Sequence, residues 1–194
     1  KSIENSEDDL LSAENDLKKV KVSSGDLVIG IASSGTTPYV LQALKYSKKN
    51  GCKTVFLVCN KSFKNSFDFD VIILVDVGQE VIAGSTRMKS GTATKMILNM
   101  ISTTTMIKIG KVYDNLMIDL KVVNKKLFNR AIRIINIITG LEEKESKNIL
   151  IKAKNEVKTA IVMHNHNFSY TVAKAYLKKH NGSLREVLSL KFEN

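Results

Sequence analysis

Three short apolar runs constrain this chain more than any other feature. Leu27-Val28-Ile29-Gly30-Ile31-Ala32, Thr54-Val55-Phe56-Leu57-Val58 and Val71-Ile72-Ile73-Leu74-Val75 are rich in β-branched side chains and are bounded by polar loops. The first has the look of a strand buried on both faces, as in a parallel sheet. After it the chain opens a helix at Pro38 and ends it at Gly51, and the second run follows. Strand, helix and strand at these lengths form a βαβ unit. The fold class is therefore α/β, a parallel sheet flanked by helices.

The flanking segments follow a helical period. Leu10, Leu11, Glu14 and Leu17 predict a helix over 5–20, broken by Ser23-Ser24-Gly25-Asp26. A second helix is expected from Met88 to Ile109, stopping at Gly110, and a third from Asp119 to Ile138, stopping at Thr139-Gly140. Between them, 111–116 reads as a connection. Shorter helices over 142–154, 156–164, 169–180 and 184–190 make a small all-helical module. The expected division is 1–138 and 139–194. The first helix has no strand before it, and Lys1 stands where an initiator Met would. We therefore expect the chain to begin partway through its first domain, with an opening βαβ unit upstream.

Composition narrows the function classes. With 194 residues, 43% of them hydrophobic, the chain is too apolar for a disordered protein. Its apolar runs fall far short of the ~20 residues that span a bilayer, so no membrane association is expected. Two cysteines do not make a disulfide framework, and a reduced cytoplasmic protein is the default. The net charge of +11 is uneven: residues 1–26 carry four lysines against seven acids, and 27–140 carry sixteen basic residues against six acids. A basic middle suits nucleic acid or a phosphorylated small substrate. No zinc finger, basic zipper or RNA-recognition signature accompanies it. A generally lysine-rich surface is favoured, and no nucleic-acid partner is expected.

Three segments concentrate chemistry. Ala32-Ser33-Ser34-Gly35-Thr36-Thr37-Pro38 joins a strand to a helix, with Thr37 at the cap and Pro38 in the first turn. Backbone N–H groups converge at such a helix start, and its dipole favours an anion. Ser33, Ser34, Thr36 and Thr37 add hydroxyl donors, and Gly35 lets a ligand approach the backbone. The segment lacks the Gly-Lys-Ser/Thr of a nucleotide P-loop and the spaced glycines of a dinucleotide fingerprint. A phosphate cradle and an ordinary capped turn fit it equally well. The second segment, Glu80 to Thr92, holds Ser85, Thr86, Arg87 and Lys89 before another helix start. Cations there oppose the dipole, so a compensating anion is expected. The third, Glu4-Asn5-Ser6-Glu7-Asp8-Asp9, is an acidic helix start that becomes a source of a general acid or base beside a substrate pocket.

Other candidates carry less. His164 and His166 lie two residues apart, which puts them on different sides of a helix, so a surface reading outweighs a metal site. Cys59 reads as a buried small apolar residue. Met96, Met100 and Met106 read as core or subunit interface. No cofactor and no metal are expected.

The run Gly30 to Tyr39, the run Gly84 to Lys95 and Gly110-Lys111-Val112-Tyr113-Asp114-Asn115-Leu116-Met117 closely resemble N-acetylmuramic acid 6-phosphate etherases, in order along essentially the whole chain. The resemblance omits roughly the family's N-terminal third. It implies a sugar isomerase (SIS) domain, a C-terminal module resembling a ubiquitin-associated domain, and a homodimer. It also implies an activity: removal of the D-lactyl ether of N-acetylmuramate 6-phosphate by two glutamates acting on the open-chain sugar. The family's second catalytic glutamate corresponds to Glu7. Ser34, Gly35 and Thr37 correspond to a sugar-phosphate loop, and Glu80, Ser85, Arg87 and Lys89 to the segment that closes the pocket. Thr36 stands where the family commonly has Arg, and Asn5 and Ser6 replace Gly and Ala. The first glutamate and first phosphate loop lie in the omitted third. The glucokinase regulatory protein resembles the family in the same motifs, so a non-catalytic sugar-phosphate sensor is the alternative reading.

Overall fold

The computed structural model describes residues 6–64 and 67–190. The chain divides into two compact units, Lys1–Asn99 and Met100–Asn194.

In the first unit, α1 (Leu10–Lys19) is followed by β1 (Leu27–Ile31), α2 (Pro38–Lys49), β2 (Lys53–Val58) and β3 (Val71–Leu74). The strands form a parallel sheet in the order β1-β2-β3, with Gly30 opposite Phe56 and Phe56 opposite Ile72. The doubly buried strand is β2, whose Thr54 to Val58 are all buried. Leu27 and Ile31 of β1, expected to be buried on both faces, are exposed among the described residues, where β1 pairs with β2 alone.

Helix α2 lies close over β1. A Cβ at Gly30 would sit 2.5 Å from the Leu44 Cδ1 and 2.8 Å from the Val40 Cγ1, so glycine is what permits this approach. Leu44, Phe56 and Val58 form the core beneath it, and Phe63 and Phe69 pack on Phe56 with ring centroids 5.3 and 5.0 Å away. Thr54 is fully buried, yet its hydroxyl and amide both donate to the Asp70 carboxylate, at 2.8 and 2.9 Å. Helix α1 packs on α2, with the Tyr39 hydroxyl donating to Asp16 (3.0 Å) and the Gln42 amide to Glu14 (2.7 Å). The helix expected over 5–20 begins at Leu10, because Asp9 caps it by accepting from the Ser12 N–H. Lys1 to Asn5, including Glu4 and Asn5 of the acidic segment, lie outside the described residues.

Helix α3 (Lys89–Lys108) runs from the first unit into the second and ends before Gly110. Its Met96, Met100 and Met106 are exposed, so they form no core here. The segment expected as a connection is a two-stranded hairpin, β4 (Val112–Tyr113) and β5 (Leu116–Met117), turned by Asp114 in the left-handed region. Helix α4 (Lys125–Thr139) starts six residues later than expected. Ile118 and Leu120 are buried in alternation, an extended-chain pattern, and the Asn124 side chain then caps α4 on the Leu127 N–H. Gly140 in the left-handed region ends α4. Helices α5 (Glu143–Lys152), α6 (Val157–His166), α7 (Tyr170–Lys179) and α8 (Leu184–Ser189) complete the second unit around Ile135, Leu150, Ile161 and Val187. His164 is exposed, whereas His166 is half-buried, its Nε2 3.0 Å from the Val187 carbonyl and its ring stacked on Phe168. No helix among the described residues is long and apolar enough to cross a membrane.

Candidate functional site

Parallel strands deliver their loops to one end of a sheet, and ligands of such folds gather at the carboxyl ends. Here the loop after β1 is Ala32 to Thr37, the loop after β2 opens at Cys59-Asn60, and the segment after β3 leads to α3. Two of the sequence motifs therefore share that end with a third loop that carries no motif of its own.

Gly35 fixes the first loop. Its φ is +82°, and a Cβ would lie 2.5 Å from Phe63 Cδ2 and 3.1 Å from Val58 Cγ1. The Gly35 N–H donates to the Ala32 carbonyl, and the Thr36 N–H donates to the Ser34 hydroxyl, 3.2 Å away, closing a tight turn. The Thr36 hydroxyl also donates to Ser34 Oγ (3.0 Å). Ser34 and Thr36 are exposed, while Ser33 and Thr37 are half-buried. Thr37 holds the cap position and Pro38 the first turn, but the Thr37 hydroxyl makes no capping bond. Proline brings no N–H to this first turn, and a backbone carbonyl rather than the cap side chain takes the Tyr39 N–H.

Glu7 arrives at the same place. Its backbone carbonyl accepts the Tyr39 N–H of α2 at 3.0 Å, and its side chain is exposed. The acidic segment is therefore hydrogen-bonded to the first turn of the helix that the hydroxyl loop opens. Beside it, the Lys19 ammonium and the Tyr39 hydroxyl hold Asp16 below the usual carboxylate range, and burial pushes the Tyr39 phenol up.

At α3 the compensating anion is part of the protein. The Glu80 carboxylate accepts the N–H of Lys89 on one oxygen and of Ser90 on the other, each at 3.0 Å. These bonds, that of Ser90 foremost, hold its carboxyl below the ordinary glutamate value. The Lys89 ammonium donates to the Gln79 carbonyl. Ser85 is half-buried, with its N–H on the Ile82 carbonyl, and the Thr86 carbonyl accepts the Gly91 N–H (2.9 Å). Thr86 and Arg87 are exposed.

Cys59 and Asn60 join the two openings. The Cys59 N–H donates to the Ser33 carbonyl (3.1 Å), and its buried thiol lies 4.0 Å from the Ser90 carbonyl and 3.8 Å from the Thr94 hydroxyl. The Asn60 amide donates to the Ser34 carbonyl (3.2 Å). The Glu7 backbone and the first loop are thus hydrogen-bonded at one end of the sheet, and the Cys59 thiol makes longer contacts, at 3.8 and 4.0 Å, to the start of α3 that Glu80 caps. No hydrogen bond among the described residues joins Ser85, Thr86 or Arg87 to the first loop. Asn60 carries no motif in the sequence; the one signal it offers is its position as the first polar residue after a wholly apolar strand. Hydroxyls, amide hydrogens and an ammonium suit an oxyanion such as a phosphate ester rather than a transition metal.

Residues 114–180 match the family described as the C-terminal lid domain of glucokinase regulatory protein. The chain is 51% identical over 189 residues to N-acetylmuramic acid 6-phosphate etherase 1 of Bacillus licheniformis, covering 97% of this chain and 62% of that protein. It is 49% identical to the etherase of Lactobacillus gasseri, covering 97% of this chain and 63% of that protein. With the etherase of Pseudothermotoga lettingae it shares 54% identity over 164 residues, 84% of this chain and 54% of that protein. The chain is a homologue of proteins so named along nearly its whole length, and it spans a little under two thirds of theirs.

Proposed function

We propose that this chain is the C-terminal two-thirds of an N-acetylmuramic acid 6-phosphate etherase, a cytoplasmic, homodimeric lyase of cell-wall amino-sugar recycling. In this reading residues 1–138 belong to an SIS domain and 139–194 form the helical module resembling a ubiquitin-associated domain. The substrate phosphate sits on the loop of Ser33, Ser34, Gly35, Thr36 and Thr37, whose exposed hydroxyls at Ser34 and Thr36 face solvent. Ser85, Thr86, Arg87 and Lys89 close over the sugar, and Glu80 holds that segment on α3.

The chemistry follows from the open-chain aldehyde. Its carbonyl acidifies the C2 proton, which a carboxylate removes; the C3–O bond then breaks and D-lactate leaves with the electron pair and a proton. Water adds across the resulting double bond, its hydroxyl to C3 and its proton to C2, giving N-acetylglucosamine 6-phosphate. Glu7 is one of the two groups that move these protons. The observation that supports this best is the Glu7 carbonyl on the Tyr39 N–H, which holds an acidic segment at the opening of the phosphate loop.

The test uses a polypeptide spanning the full length of the relatives, supplied with N-acetylmuramate 6-phosphate, with D-lactate as the readout. Glu7→Gln is expected to slow release by about 10²–10⁴-fold, while sugar-phosphate binding is largely retained. Full turnover in that variant would overturn the role given to Glu7.

A second reading, a non-catalytic sugar-phosphate regulator, is favoured by the lid-domain match over 114–180 and by Thr36 in place of a cation. It requires a partner protein whose association changes with sugar phosphate while no D-lactate forms.

A further inference from the structure

The second unit contains a cleft of about 820 Å³ that the proposed reaction does not use. The extended segment 118–123, the turn before α6 and one side of α7 enclose it. Its floor is apolar, with Ile118, Leu120, Val157 and Leu177 buried beneath it. Five lysines line it against two carboxylates. Both carboxylates are already engaged: Asp119 pairs with Lys111 at 2.8 Å, and Glu156 with Lys174 at 2.6 Å. The Lys158 ammonium donates to the Gly182 carbonyl (3.0 Å), and burial pushes it below the ordinary lysine value. Lys121, Lys154 and Lys178 are exposed, with Lys154 4.5 Å from the centre of the Tyr170 ring. At the lip, Lys154 and the adjacent Asn155 both take left-handed backbone with no glycine to ease it.

We propose that this cleft binds an organic phosphate: a small molecule with a planar or apolar body and more than one negative charge. The volume falls in the range of small-molecule sites and far exceeds what inorganic phosphate fills. The apolar floor receives the body, and Lys121, Lys154 and Lys178 answer the charge. Lysines act here as mobile point charges rather than as a planar fork, which suits a phosphate chain whose oxygens are not fixed in one plane. All of its lining residues belong to the second unit and none to the loops after β1 and β3, so it stands or falls independently of the etherase reading.

The test is an amide-shift titration of the 194-residue chain with adenosine 5′-diphosphate, inorganic pyrophosphate and inorganic phosphate at low ionic strength. Adenosine diphosphate is expected to shift amides of 154–159 and 174–178 at a dissociation constant well below that of pyrophosphate, and to weaken as salt is added. The exposed double variant Lys121→Glu, Lys178→Glu should lose affinity by about tenfold or more. Lys154→Glu provides an independent check should that variant fold poorly. Shifts scattered over surface lysines, equal binding of pyrophosphate, or unchanged affinity in both variants would overturn the proposal. So would displacement of the nucleotide by an acidic peptide that binds more tightly.

Discussion

Replacing Gly35 by alanine tests the first loop at its most constrained point. The residue is buried with φ at +82°, a conformation that costs a side-chain-bearing residue about 1–2 kcal/mol. The new Cβ would also fall 2.5 Å from Phe63 Cδ2 and 3.0 Å from its Cγ, both ring atoms. Relief requires Phe63 to leave its edge-on contact with Phe56, and such overpacking costs about 1–3 kcal/mol. The sum is about 3 kcal/mol. Gly84 provides the control, since its φ is +86° and nothing lies within 4 Å of its Cβ position. Gly84→Ala therefore carries only the backbone part, about 1.5 kcal/mol. Amide exchange of β2 in increasing urea reads both. At a slope of about 2 kcal/mol per molar, the opening midpoint should fall by about 1.5 M for Gly35→Ala and by half that for Gly84→Ala. Equal shifts in the two variants would refute the packing of Gly35 against Phe63. A destabilised Gly35→Ala chain that binds sugar phosphate as tightly as the parent would refute the loop as the phosphate site.

Further expectations concern charge and core. The Thr54 hydroxyl and amide, with Lys53, hold the Asp70 carboxyl well below the usual range. Its contribution is fully present above the ordinary aspartate value and is lost as pH falls through the lowered one, so Asp70→Asn should remove that part of the acid-side loss of β2 and β3 protection. Glu80→Ala should fray the start of α3, seen as faster exchange at Lys89 and Ser90, and unchanged exchange there would contradict the capping role. Leu150 is completely buried, and Leu150→Ala should destabilise the second unit by about 2–5 kcal/mol, measured by exchange in α4 and α6.

Local chemistry makes much of this molecule legible in its amino-acid order. Pro38, Gly51, Gly110 and Gly140 act on the backbone within a residue or two of themselves, and every helix boundary they mark stands in the fold. The hydroxyl loop and the need for an anion at α3 are legible for the same reason, because caps and dipoles are short-range. Long-range pairing decided the rest. Nothing in the three apolar runs distinguishes β2 as the central strand, since that depends on which neighbours each strand finds. The methionines of α3 carry a helical spacing that says nothing of whether a partner surface covers them. Glu80 as the anion at α3, nine residues upstream of the first amide it accepts, required the turn between them to fold back. Only the meeting of distant chain segments at one end of the sheet brought Glu7 to Tyr39 and placed Cys59 and Asn60 between two loops. Those contacts join residues tens of positions apart, beyond the reach of any local preference.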